Sequence, residues 1–356
     1  VRRLLIALGV LGAALTALLL AGCGQLGYLR QSVGGHLSLI SAAQPVDDWL
    51  ADDKLTPQLR ERLVLSQRMR DFASAELKLP DNSSYRRYAD IKRGAAVYNV
   101  IAAPELSLTA KTWCFPVMGC VGYRGYFDRA EAEAYAKQLE RDEHLEVMVG
   151  PVPAYSTLGW SNWVGGDPLL NTFIGYPEGE LARMIFHELA HQVAYAADDT
   201  PFNESFASAV EKLGAEVWLV KHAGPEAVAQ YERGNARRQD FRALTRRYRE
   251  LLDALYKSER SDADKRAEKA RLMAQMRADH AALKAGPWGG FAGYDGWFER
   301  ANNASFALLA AYSDLTPAFE ALFEREGRDW QRFYAEAKRL AALPKAERRR
   351  ALEQQR

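Results

Sequence analysis

The sequence predicts an α+β fold: a small mixed sheet with a buried His-Glu-x-x-His helix, then a mostly α-helical part with a long antiparallel helical hairpin. Three observations lead there. Short β-branched or aromatic runs bounded by Gly and Pro crowd the middle third. Apolar residues fall at steps of three and four from Pro177 onward, and a polar break divides one long helical pattern in two.

Taken in order, Arg2 and Arg3 precede an apolar run from Leu4 to Leu20 that stops at Ala21-Gly22-Cys23, a signal-peptide pattern over residues 1–22. The run is at the short limit for a transmembrane helix, and no charged stop-transfer segment follows it. Residues 23–45 read as a tether, 46–344 as a single domain and 345–356 as a basic, frayed tail. Thr56 to Leu77 has helical spacing at Leu59, Leu63 and Met69, and Pro80-Asp-Asn-Ser-Ser84 ends it with turn chemistry. Ala96 to Ala102, Trp113 to Val117, Leu145 to Val152 and Pro168 to Ile174 read as strands, interrupted by one helix from Asp128 to about Glu143.

The hairpin spans 226–285. Phe241, Leu244, Tyr248, Leu251 and Leu255 line its first arm and Met273, Met276, His280 and Leu283 its second, with the break at Ser258 to Asp264. Its many charges read as a solvated face. Gly286-Pro-Trp-Gly-Gly-Phe-Ala-Gly293 is too stiff and aromatic for a flexible linker, and aromatic-rich helix follows from Trp297 to Leu343.

The chain has 356 residues, 48% of them apolar, which allows a sizeable core. With 47 basic against 46 acidic side chains there is no field to hold a polyanion, so nucleic acid is excluded as a partner. Three cysteines are too few for a disulfide scaffold, and the odd number needs a reason. Leu20-Ala21-Gly22-Cys23 resembles the lipobox of bacterial lipoproteins. That resemblance implies cleavage before Cys23, lipidation of its thiol and a membrane-anchored protein of the bacterial cell envelope, on the periplasmic face of the outer membrane where the host has one. Cys114 and Cys120 then lie in an oxidising compartment, where a local disulfide is expected.

His187-Glu188-Leu189-Ala190-His191 carries the chemistry. Residues four apart on a helix stand one turn above each other, so His187 and His191 can point at one ion with Glu188 beside them. Leu181, Met184, Ile185, Phe186, Leu189 and Val193 make this helix apolar on most sides. A carboxylate buried there needs a compensating charge, which a divalent cation supplies. Downstream, Pro201 opens a second helix whose face carries Glu204, Ser208, Glu211 and Ala215 at steps of four, three and four. Small residues let that face approach another helix and offer it a carboxylate.

The pair of motifs, His187 to His191 and Asn203-Glu204-Ser205-Phe206-Ala207, resembles the gluzincin zinc metallopeptidases. Ala154-Tyr-Ser-Thr-Leu-Gly-Trp160, Asp167-Pro-Leu-Leu-Asn-Thr172 and Tyr176-Pro-Glu-Gly-Glu-Leu-Ala182 resemble, more closely, a bacterial envelope family described as predicted aminopeptidases, over roughly 27–343. The resemblance implies one zinc ion on His187, His191 and Glu204, and a peptide substrate cleaved by a zinc-bound water with Glu188 as general base. Glu211 and Asn203 would support the ligands. The gap from His191 to Glu204 is 12 residues, shorter than the gluzincin habit, whereas Glu211 at 19 fits it, so local context and spacing disagree.

Tyr155, Tyr123, Tyr126 and His280 are candidates to face a developing oxyanion, and no local pattern selects among them. Asp167, Glu178 and Glu180 are the upstream acids nearest the motif that could hold a substrate α-ammonium. Two other readings stay open at this level: an envelope endopeptidase, and a non-catalytic zinc-bearing lipoprotein that binds a partner through the hairpin.

Overall fold

The computed structural model describes residues 27, 28, 30–115, 119–154, 165–197, 199–313 and 315–354. The signal-peptide run, Cys23 and Tyr155 lie outside them. Helix α1 covers 30–42, where a tether was expected; Leu39 is buried in the core, and Gln31 Oε1 accepts a hydrogen bond from Phe127 N. The chain then runs β1 (Gln44–Pro45), α2 (Val46–Ala51), α3 (Pro57–Ala75), β2 (Arg87–Ala89), β3 (Val97–Pro104), β4 (Trp113–Phe115), β5 (Gly119–Val121) and β6 (Arg124–Tyr126). Next come α4 (Arg129–Glu143), β7 (Leu145–Val152) and β8 (Leu169–Leu170).

The fold is α+β, as expected, with its β-structure divided. One three-stranded sheet is mixed: β1 pairs antiparallel and β8 parallel with β2, with Tyr88 opposite Leu169. A second, β6-β3-β7, is antiparallel and carries α4 on one face through Ala132, Ala136 and Leu139. The third is the β4-β5 hairpin, where Cys114 sits opposite Cys120 and the two form a disulfide. Pro168 to Ile174 is strand only at Leu169–Leu170, because the backbone turns at once, Ile174 N donating to Leu170 O.

From residue 178 on, every element is helical: α5 (Glu178–Ala190), α6 (Thr200–His222), α7 (Pro225–Lys257), α8 (Asp262–Ala285), α9 (Asp295–Arg300), α10 (Asn303–Ser313), α11 (Thr316–Arg325), α12 (Trp330–Ala341) and α13 (Lys345–Glu353). α7 and α8 are the expected hairpin. The loop after it is pinned, with Trp288 buried and donating to Asp240 Oδ2 at 3.0 Å. Among the described residues no helix is long and apolar enough to cross a membrane.

α5 and α6 lie at the centre of the largest core. Phe206 of α6 packs on Phe319, Phe333 and Tyr334 of the C-terminal helices, while Phe186 of α5 meets Phe72 of α3. Gly214 lets α6 close on α5 and on the segment just after α3, since a Cβ there would stand 2.7 Å from Leu77 and 3.0 Å from Phe186. The tail read as frayed is α13. Its Arg348 is 4% exposed and bonds Asp199 Oδ2 at 2.6 Å, and Arg349 bonds the other oxygen. Asp199 is the N-cap of α6, accepting from Phe202 N. The last helix therefore clamps the start of the helix that carries Glu204.

Candidate metal centre

α5 is greasy on most sides and ends at His191, so both motif histidines are presented from its last turn, inside the core. α6 is fixed at its start by the Asp199 cap and by Asn203. The latter's side chain accepts from Ala196 N at 2.8 Å and donates to Ala196 O at 2.9 Å, holding the connection between the two helices. Asn203 was expected, with Glu211, to support the ligands from behind. Its two bonds to Ala196 fix the loop within the short 12-residue gap.

That loop brings Glu204 to the histidines. Glu204 Oε2 stands 3.4 Å from His187 Nε2 and 3.6 Å from His191 Nε2, and the two nitrogens are 3.2 Å apart. All three residues are buried and form a group able to hold a metal ion. Ligand atoms at about 2.0–2.1 Å from a tetrahedral ion lie about 3.3–3.4 Å from one another. The observed triangle has that size. Glu204 Oε2 is buried without a hydrogen-bond partner, a costly state unless a cation meets it.

Glu211, the alternative by spacing, is turned elsewhere. Its Oε2 is 2.9 Å from His187 Nδ1 and its Oε1 takes Arg183 Nη2. It therefore orients His187 from behind and leaves Nε2 for the centre, a carboxylate–histidine relay. Arg183 was not anticipated, although a signal existed. It stands one turn before His187 on the same stripe of a buried helix, where a lone cation calls for a buried acid.

The electrostatics of the centre favour a cation. Burial opposes the charged form of His187, yet the neighbouring carboxylates of Glu204 and Glu211 raise its pKa well above the usual value. Burial likewise opposes ionised Glu204, but His191 and His187 bring its pKa down to about 2. The cluster demands positive charge. Glu188 is half-buried beside the histidines; burial raises its pKa, the histidines oppose that, and Glu204 and Asp167 add to it.

The surroundings of Glu188 come from distant segments. Gly166 has φ +72°, and a Cβ on it would lie 2.4 Å from Ser84 N, so only glycine lets these backbones meet. There Asp167 O accepts from Tyr85 N, and Ser84 Oγ accepts from Gln192 Nε2 at 3.1 Å. Asp167 is fully buried, and its charge is felt by Glu188 and by the buried Tyr85 hydroxyl.

Glu178 and Glu180 are elsewhere, at the start of α5, about 10–14 Å along the axis from His187. Glu178 accepts from Trp218 Nε1 and Glu180 pairs with Arg238. Among the oxyanion candidates, Tyr126 packs with Tyr28 and Tyr135 against the antiparallel sheet, and His280 stacks on Phe298 in the hairpin core. Tyr123 is different. Burial, and then the charge of Glu204, push its pKa up, and Glu188 contributes as well.

Residues 27–352 match a family model described as putative aminopeptidase. No curated protein and no solved structure matches the chain.

Proposed function

The chain belongs to the putative aminopeptidase family, and on that premise we propose a zinc-dependent aminopeptidase with His187, His191 and Glu204 as ligands and Glu188 as general base. One observation carries the reading: three buried ligand atoms 3.2–3.6 Å apart, with one acid behind His187 and a second, uncommitted acid beside both histidines. A purely structural site has no use for Glu188.

A zinc ion held there would supply Lewis acidity at a scissile carbonyl and make water a competent nucleophile near neutral pH. The chain's own residues do the rest. Glu188 takes the proton from the attacking water and later delivers it to the leaving amine. Tyr123 donates a hydrogen bond to the carbonyl oxygen as charge develops on it. Glu211, held by Arg183, keeps His187 in the tautomer that offers Nε2.

Asp167 favours an aminopeptidase over an endopeptidase. It is the upstream acid whose charge acts on Glu188, and a carboxylate there suits a free α-ammonium beside the scissile bond. Lipidation of Cys23 would anchor the enzyme to the cell envelope, as the lipobox resemblance implies.

Peptide pairs that differ only in a free or N-acetylated amino terminus test this reading. The zinc-loaded protein should cleave the free forms at least about tenfold faster, a difference of about 1.4 kcal/mol. Equal cleavage of both would convert the assignment to an endopeptidase.

A further inference from the structure

Residues 24–46 contain no Asp or Glu and, of Lys and Arg, only Arg30, where a chain that is 26% charged would place about six such residues. α1 lies within this stretch and is held on the body by one side. Leu39 is buried there, Phe127 N donates to Gln31 Oε1 at 3.0 Å, and Arg87 Nη2 donates to Ile40 O at 3.4 Å. The opposite side is bare. Arg30, Val33, Gly34, Leu37, Ser38 and Ser41 are exposed, and their steps of three, one, three, one and three put them on one helical face.

Val33 is 57% and Leu37 60% exposed, and the two stand one turn apart. The other large apolar side chains left exposed among the described residues, Val64, Val220, Leu251 and Phe291, are scattered over α3, α6, α7 and the loop after α8. Single residues of that kind are ordinary on a protein surface, whereas an adjacent pair on a helix face nearly free of charge suits a water-poor boundary. The chain before α1 says what lies over this face. Residue 27 is only four positions after Cys23, and four residues reach at most about 14 Å however they run. An acyl anchor at Cys23, as proposed above, therefore keeps the start of α1 close to the headgroup layer.

We infer that the exposed face of α1 rests on the lipid surface into which Cys23 is anchored. Val33 and Leu37 enter the boundary between headgroups and acyl chains, and Arg30 meets the phosphates of anionic lipids. Because the other side of α1 is bonded to the body through Gln31 and Ile40, this seat holds the body in one orientation on the membrane. The inference rests on the anchoring at Cys23 and does not depend on the peptidase reading.

Spin labels on the full chain, purified from bacterial membranes and returned to vesicles of phosphatidylethanolamine and phosphatidylglycerol, test it. Val33→Cys and Leu37→Cys carry labels on the face, and Val220→Cys and Leu251→Cys carry them at exposed apolar positions elsewhere. Oxygen concentrates in lipid and a nickel chelate stays in water, so the ratio of collisions with the two should be at least about threefold higher at 33 and 37 than at 220 and 251. Equal ratios at all four positions would overturn the seat. Shielding of 33 and 37 from both reagents would overturn it as well, because a protein partner or a second copy would then cover the face. Mass spectrometry of residue 23 in the same preparation reads the anchor separately. An acylated chain whose labels at 33 and 37 stay in water refutes the seat alone, and an unacylated chain found outside the membrane refutes both.

Discussion

Glu204 and Glu211 stand on one face of α6 and should differ sharply in what their removal does to zinc. Glu204 Oε2 faces both Nε2 atoms at 3.4 and 3.6 Å, whereas Glu211 touches only the far nitrogen of His187, at 2.9 Å. An apparent zinc-binding free energy of about 10–16 kcal/mol over four ligands is about 2.5–4 kcal/mol each, so Glu204→Ala should weaken zinc by roughly two to three decades. Glu211→Gln removes an orienting charge but keeps an acceptor for Arg183. Losses of that kind are about 10–100-fold, about 1.4–2.7 kcal/mol. Competition against a chromogenic zinc chelator measures both, with the zinc-free unfolding midpoint as the control for folding. A loss in Glu211→Gln equal to or larger than that in Glu204→Ala would refute the division of roles and make Glu211 the ligand.

Two further substitutions probe the frame and the chemistry. Arg348→Met leaves Asp199 with only Arg349 and strips donors from the carbonyls of Leu340, Ala341 and Leu343. Breaking such a buried pair should cost about 3–5 kcal/mol in urea unfolding, and a loss below about 0.5 kcal/mol, the scale of an ordinary surface change, would mean that the C-terminal helix is dispensable. Tyr123→Phe should lower kcat by about 10²–10³ with zinc content unchanged, as expected for one donor to the oxyanion; an unaltered kcat would remove Tyr123 from the reaction.

The parts legible in the sequence were those whose signal is local. α5 announced itself by apolar residues on most sides around the two histidines, and α7 and α8 by long runs at steps of three and four. β7 was read to its ends because Leu145–Val152 is a run of strand formers after a helix stop at His144, in the left-handed conformation. The losses were non-local. β2 is Arg-Tyr-Ala in a polar stretch and is a strand only because β1 and β8 flank it. α1 was hidden in a segment read as tether, its helical character settled by Leu39 entering the core. α13 is mostly charged, and nothing local says that Arg348 will meet Asp199 across 149 positions.

The same division runs through the site. His187, Glu188, His191 and Glu204 belong to two adjacent helices and two motifs, so spacing and context pointed to them. Asp167 and Tyr123 could be suspected by residue type only. Their placement depends on the Gly166 contact with Ser84 and on the turn after the β4-β5 hairpin, which no periodicity encodes. Glu211 shows the limit of counting: its spacing suited a ligand, but the loop latched by Asn203 puts Glu204 there first.

Glu188→Gln bears most directly on the central claim. Wild type and variant are loaded with zinc, their metal content is measured, and both are offered the same library of free-amine and blocked peptides. The account predicts one zinc in each and a rate in the variant lower by about 10²–10⁴, the span of general acid–base catalysis. Two proteins that each hold one zinc and are equally inert, or equally active, across that library would contradict it.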